Sequence, residues 1–242
     1  MENKQTAIIL VGGLGKRLLP LTKITPKPLL KIGQDTILEI IINHLIKNKF
    51  KKIIFAARYK SKSIKDEIKK LKKKYNKVEF IINIEKKKLG TCGQIKLCRN
   101  HLPENFLVIN GDILTNVNLK NIFNRFLRKK MNFLVFVKKV YSPFEFGRLD
   151  IKNKKITAVE EKPIFKNFIV GGIYILNKKC ISLIPENKYF GMDQLIKLFL
   201  KNKLTINTHV MSNDLWIDVG NHKTYKNVNK MKNTLFNKSS KK

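Results

Sequence analysis

Acidic side chains are scarce in this chain: 17 Asp and Glu stand against 51 Lys and Arg in 242 residues, a formal net charge of +34. An imbalance of that sign ordinarily points to nucleic acid or an anionic membrane, because clustered cations release counterions from phosphate backbones. Arginine is scarce as well. Only Arg17, Arg58, Arg99, Arg125, Arg128 and Arg148 occur, whereas bidentate phosphate and base-edge recognition favours arginine. The excess therefore reads as a solvated lysine face within a general Lys-, Asn- and Ile-rich bias, and no specific nucleic-acid partner is expected. Cysteine is limited to Cys92, Cys98 and Cys180. An odd number without CxxC spacing or a suitably spaced His argues against a disulfide framework and a zinc site, and fits a reducing cytoplasm. There is no apolar run of membrane-spanning length and no signal-type apolar stretch, so no membrane partner is expected. The length suits one α/β domain, expected over residues 1–236, with a disordered tail at 237–242.

Glycine and proline are concentrated where the rest of the chain takes its orientation. The run Ala7–Val11 reads as a strand buried on both faces, and it ends in Gly12, Gly13 and Gly15, followed by Lys16 and Arg17. Glycines there let backbone N–H groups approach an anion with no Cβ in the way. Pro20 and the bracket Pro26-Lys27-Pro28 stiffen the following loop and direct one lysine to the same place. Two familiar phosphate motifs are excluded. A P-loop would require Ser or Thr where Arg17 stands and Gly where Leu10 stands, and a dinucleotide fingerprint would require Gly where Leu18 stands.

The longer pattern Gly-Gly-x-Gly-x-Arg-Leu-x-Pro-Leu-Thr followed by Pro-Lys-Pro resembles the signature of the sugar-1-phosphate nucleotidyltransferases. Three further carriers occur in family order: Leu89-Gly90-Thr91, Asn110-Gly111-Asp112 and Trp216-x-Asp218-x-Gly220. The resemblance implies that Leu10, Gly12, Gly13, Gly15, Gly90, Thr91 and Gly111 bind the nucleotide and that Arg17 and Lys27 are catalytic. It also implies that Asp112 and Asp218 hold Mg²⁺, and that Gly147, Glu161, Lys162 and Gly172 receive the sugar phosphate. Taken as bare residues, Asp112 can be read as a turn aspartate, Asp218 as a helix cap that need not exclude metal binding, and Glu161-Lys162 as a surface pair. Lys88 stands where the family has proline, and Val170-Gly171 where it has polar residues, so the base loop and the sugar contact depart from the pattern.

Between these motifs the pattern alternates. A helix is expected from the Thr36 cap to about Asn48, with His44 on its inner face as a core or boundary histidine rather than a ligand. Strands follow at Ile53–Ala57 and Val78–Ile84, separated by a lysine-rich helix carrying Ile64, Ile68 and Leu71 inward. Next come a helix ending at His101, an apolar strand from Phe106, a helix Leu119–Lys130 and a strand Phe133–Val140. Residues 144–151 and 156–163 read as paired strands, and Phe168–Leu176 as a strand. A short helix at Asn177–Ile184, a helix Met192–Asn202, a strand Thr205–Val210 and a C-terminal helix complete the chain. Repeated βα units imply an α/β fold: a Rossmann-like three-layer α/β/α architecture with a mainly parallel sheet and an inserted β-hairpin sugar-binding region. The resemblance implies Mg²⁺-dependent nucleotidyl transfer from a nucleoside triphosphate to a sugar 1-phosphate, with GTP first and uridylyl transfer next. The alternatives of another class are a lysine-rich nucleic-acid-binding protein and a non-catalytic nucleotide-sugar sensor.

Overall fold

In the computed structural model, which describes residues 4–58 and 61–236, the chain begins with β1 (Thr6–Leu10), a single-turn helix α1 (Leu21–Ile24) and a small hairpin of β2 (Lys31–Ile32) and β3 (Asp35–Thr36). It continues through α2 (Ile37–Lys47), β4 (Lys52–Ala57), α3 (Ser61–Lys74), β5 (Glu79–Ile84), α4 (Gly90–Leu97), β6 (Asn105–Asn110), β7 (Ile113–Thr115) and α5 (Leu119–Arg128). The second half contains β8 (Phe133–Pro143), β9 (Arg148–Lys152), β10 (Lys155–Glu160), β11 (Ile164–Asn177), α6 (Met192–Lys201), β12 (Asn207–Val210), β13 (Trp216–Asp218) and α7 (His222–Phe236).

Seven strands form one sheet in the order β12-β8-β11-β6-β1-β4-β5. β6, β1, β4 and β5 are mutually parallel, as are β12 and β8, while β11 runs antiparallel to both neighbours. Strand alternation sorts the aliphatic residues into two layers. Ala7, Ile9, Ile53, Phe55, Leu107 and Ile109 pack with α2, α3 and α5 on one side, whereas Ile8, Ile54, Ala56, Phe106 and Val108 pack with α4 and α6 on the other. This is the expected three-layer arrangement. Thr36 caps α2 by accepting from the Glu39 amide at 3.1 Å, as the sequence suggests. His44 is a half-buried, boundary histidine, and desolvation pushes its pKa down to about 4. Among the described residues no helix is long and apolar enough to cross a membrane.

Three expectations shift. The loop expected over Leu89-Gly90-Thr91 is already the start of α4, and the helix stops at Leu97, with a separate 3₁₀ turn at Arg99–His101. The C-terminal helix is capped by Asn221, whose side chain accepts from the Thr224 amide at 2.9 Å, which leaves Asp218 out of the cap. β8 and β11 extend beyond the sheet into a ribbon, paired from Val137↔Val170 to Pro143↔Ile164, that carries β9 and β10. The sequence reading stops the first of these strands at Val140, three residues short of Pro143, and starts the second at Phe168, after Lys166 and Asn167 break the apolar pattern. The tail expected at 237–242 lies outside the described residues.

Candidate active site

In a sheet whose central strands are parallel, the strand carboxyl ends open on one side, and ligands gather there. A cleft of about 350 Å³ lies at those ends, lined by Leu10 and Gly12 after β1, Arg58 after β4, Glu85 after β5 and Asn110 and Asp112 after β6. Gly13, Lys27, Gly90, Thr91 and Gly111 line it too. The glycines are there for different reasons. Gly15 takes φ +62°, a conformation that a side chain strains, and a Cβ on Gly12 would sit 2.5 Å from the Gln94 amide nitrogen, so the Gln94 side chain, which is bonded to Glu85, would have to give way. Gly13, by contrast, faces open space. Gly111 lies against β1, its N–H donating to Leu10 O at 2.9 Å.

Lys27 begins a short 3₁₀ turn, Lys27–Leu29, directly after extended Pro26. Its side chain is only 11% exposed and its ammonium is bonded to Asp112 Oδ2, with Asp218 Oδ1 at 3.9 Å. Sequence separation makes that meeting a product of the fold. β13 pairs antiparallel with β7 so that Asp218 stands opposite Ile113, and Val219 N donates to Asp112 O at 2.9 Å. Arg17 reaches Asp218 from the other side at 3.8 Å, passing over Gly220, where a Cβ would lie 2.8 Å from the guanidinium. Four sequence-predicted residues, Arg17, Lys27, Asp112 and Asp218, thus meet.

Asp218 is the strained member. Its Oδ1 is buried without a hydrogen-bond partner. Burial, and then the Asp112 charge, raise its pKa above the usual aspartate value, while Lys27 and Arg17 pull the other way. A buried, unpartnered carboxylate oxygen beside a second carboxylate is a donor set that suits a divalent oxygen-loving cation. Among the described residues no three His, Cys, Asp or Glu side chains cluster as a complete metal cage. A hard ion such as Mg²⁺ commonly takes one or two carboxylates and completes its shell with water and substrate phosphates.

Gly15, Arg17 and Asp218 border the cleft without lining it, and the four residues predicted for the sugar phosphate also stand outside its lining. Gly147 and Glu161 are together, a Cβ on the glycine falling 2.9 Å from Glu161 Oε2, but on the exposed arm beyond the sheet, as is Lys162. Gly172 sits at an irregularity of β11 with φ +71°, where a Cβ would lie 2.8 Å from the Asn110 amide nitrogen. It is therefore one side chain removed from the cleft. Trp216 fastens the neighbouring strand by donating to Gly171 O at 2.8 Å.

One group at the site went unassigned in the sequence. Glu85, its side chain 1% exposed, accepts from the Leu89 amide and from the Gln94 amide group, with Arg58 Nε at 3.7 Å. It fixes the turn that presents Gly90 and Thr91. Phe190 holds the same turn from outside: its N–H donates to Leu89 O at 2.8 Å and its carbonyl accepts from Cys92 N at 3.0 Å. Lys88, in the place of the family proline, lies over the Tyr189 ring at 5.4 Å on the cleft rim. In Glu85-Lys-Lys-Lys88 the glutamate looks like one more surface charge. The available signal was its position immediately after the third parallel strand.

Comparison with known proteins agrees with this geometry. The nucleotidyl transferase family model matches residues 6–234. The chain is similar to the D-glycero-alpha-D-manno-heptose 1-phosphate guanylyltransferase of Aneurinibacillus thermoaerophilus, 33% identical over 229 residues that cover 93% of this chain and 96% of that one. It is also similar to the mannose-1-phosphate guanyltransferase of Schizosaccharomyces pombe, 30% identical over 230 residues, covering 90% of this chain and 62% of that protein. Among solved structures, HddC from Yersinia pseudotuberculosis complexed with GMP-PN superposes with a TM-score of 0.69 at 27% identity, covering 93% of this chain and 98% of the other. The glycine turn, the two aspartates joined through β7 and β13, and the extent of these matches lead to one conclusion: the chain belongs to the nucleotidyl transferase family.

Proposed function

We propose that this enzyme transfers GMP from GTP to a sugar 1-phosphate, giving a GDP-sugar and pyrophosphate in the cytoplasm. An oxygen of the sugar 1-phosphate attacks the α-phosphorus. The new P–O bond replaces the bond to pyrophosphate, so no covalent enzyme intermediate is required. The task is to bring two polyanions together and to stabilise charge at the α-phosphate, which positioning and electrostatics can supply.

The observation that carries the reading is the convergence of Lys27, Asp112 and Asp218, the first two of which line a glycine-walled cleft. In it the backbone of Gly12, Gly13 and Gly15 and the Arg17 guanidinium hold the leaving phosphates, and Lys27 turns from Asp112 to the α-phosphate. Leu10, Gly90, Thr91 and Gly111 enclose the base and ribose. Asp112 and Asp218 would hold Mg²⁺, which would supply positive charge to offset that of the phosphates. Gly147, Glu161, Lys162 and Gly172 receive the sugar phosphate, the first three from the arm. The guanine preference rests on the relatives, two of them guanylyltransferases by name. The test is a matrix of GTP, UTP, dTTP, CTP and ATP against mannose, heptose, glucose and glucosamine 1-phosphates with pyrophosphate release as readout. Release is expected with GTP. Release with UTP alone would move the reading to uridylyl transfer, and none with any pair would favour a nucleotide-sugar sensor.

A further inference from the structure

The arm beyond the sheet is amphipathic in a way that the monomer leaves unfinished. β9 and β10 pair antiparallel with Leu149 opposite Val159 and Ile151 opposite Ile156, the register shifting between Ile156 and Ala158. Because side chains alternate along a strand and cross-strand partners share a face, that shift brings all four aliphatics to one side of the hairpin. The opposite side carries Arg148 opposite Glu160, Asp150 opposite Ala158 and Lys152 opposite Lys155. There Arg148 pairs with Asp150 at 2.8 Å and with Glu160 at 3.7 Å, so the polar side satisfies itself. The aliphatic side is bare, its four residues 47–70% exposed. At the base of the arm Phe144 packs edge-on against Phe146 and Phe165, each pair of ring centroids 5.8 Å apart, and all three rings are also exposed.

A two-stranded hairpin with one apolar face is at best marginally stable in water and is ordinarily covered. The three aromatics and four aliphatics together expose on the order of 800 Å², about one partner's share of a standard interface. Charge narrows the choice of what covers it. Residues 144–163 hold five cations and four carboxylates, a net charge of +1 in a chain of +34. An anionic partner would be drawn to the lysine-rich body and gains nothing from an uncharged aliphatic face. A second copy, carrying the same +34, meets little net repulsion at this near-neutral arm.

We propose that the Leu149, Ile151, Ile156 and Val159 face is a two-fold interface between two copies of this chain, hairpin packed on hairpin. The contact is isologous, each copy's aliphatic face meeting the same face of the other. This does not depend on which nucleotide or sugar the enzyme uses.

Sedimentation velocity of the full chain, from about 1 to about 100 μM, the range in which interfaces of this size begin to associate, tests it. A species of twice the 28.2 kDa chain mass is expected. Ile151→Lys and Val159→Lys place an ammonium in the contact and should each return the protein to monomer, while Lys155→Gln, on the opposite side of the hairpin, should leave the dimer intact. Circular dichroism and nucleotide titration of the lysine variants, expected to match wild type, verify that they are folded. A wild-type monomer throughout that range, or lysine variants that remain dimeric, would overturn the proposal.

Discussion

Replacing Glu85 with glutamine removes half of a buried acceptor while keeping its shape. In the native protein the two carboxylate oxygens receive the Leu89 amide and the Gln94 amide group and face Arg58. A glutamine has one carbonyl oxygen, so its NH₂ must point at a buried donor. Leaving one buried donor unsatisfied costs about 1–3 kcal/mol. With a urea dependence of about 2 kcal/mol per M, typical of a small protein, the unfolding midpoint should fall by roughly 0.5–1.5 M. Glu85→Ala, which strands both donors and leaves Arg58 uncompensated beside a cavity, should cost about 3–5 kcal/mol. The functional consequence follows from the turn it holds. If Gly90 and Thr91 must be ordered by the ligand, part of the binding energy is consumed. The GTP Kd of Glu85→Gln should then rise by about tenfold, or ~1.4 kcal/mol, with turnover at saturation within roughly threefold of wild type. Urea titrations and calorimetry measure both. An unchanged midpoint with unchanged Kd would refute the reasoning, and a collapsed turnover with normal Kd would mean that Glu85 takes part in the chemistry instead.

Asp112→Asn should lower pyrophosphate release by at least ~10²-fold, about 2.7 kcal/mol of barrier lowering, with the fold retained; near-normal, EDTA-resistant turnover would contradict the metal role. Burial holds the His44 pKa near 4 against an ordinary 6.5. The unfolded chain therefore binds the extra proton first, and stability that is full above the ordinary value is lost as pH falls toward the folded one. The loss should reach about 3 kcal/mol, and His44→Gln should flatten it in urea midpoints measured across that interval. If the lysine excess is a solvated face, duplex DNA and RNA should bind weakly, without sequence preference and with steep salt dependence. Tight sequence-selective binding at physiological salt would favour the nucleic-acid alternative.

The central sheet was legible because its strands are buried on both faces: Ala7–Val11, Ile53–Ala57 and the run from Phe106 are nearly unbroken aliphatic stretches, and Thr36 marks a helix start. Lys27 was legible because its two prolines are local. The bond from Asp112 to Lys27 was not, because 85 residues separate them, and neither was the approach of Asp218, since the β7–β13 pairing that joins residues 112 and 218 is a long-range event with only three residues in each strand. Glu85 was missed for a related reason: neighbouring lysines hide a carboxylate whose partners, Arg58 and Gln94, come from other elements. The arm residues Gly147, Glu161 and Lys162 were identified by motif, but motif order says nothing about distance from the cleft.

Lys27 is the centre of the proposed mechanism, an ammonium held by a proline-bracketed turn against two carboxylates. Turnover and nucleotide affinity measured side by side for wild type, Lys27→Ala and Lys27→Arg test that role most directly. An interaction that strengthens in the transition state should be lost from turnover by ~10²-fold or more while Kd for the nucleotide stays within about tenfold. Arginine should not restore the rate, because a planar fork does not replace a compact point charge in a fixed pocket. Unchanged turnover with only a raised KM would mean that Lys27 merely holds the ligand, and would contradict the catalytic role assigned to it.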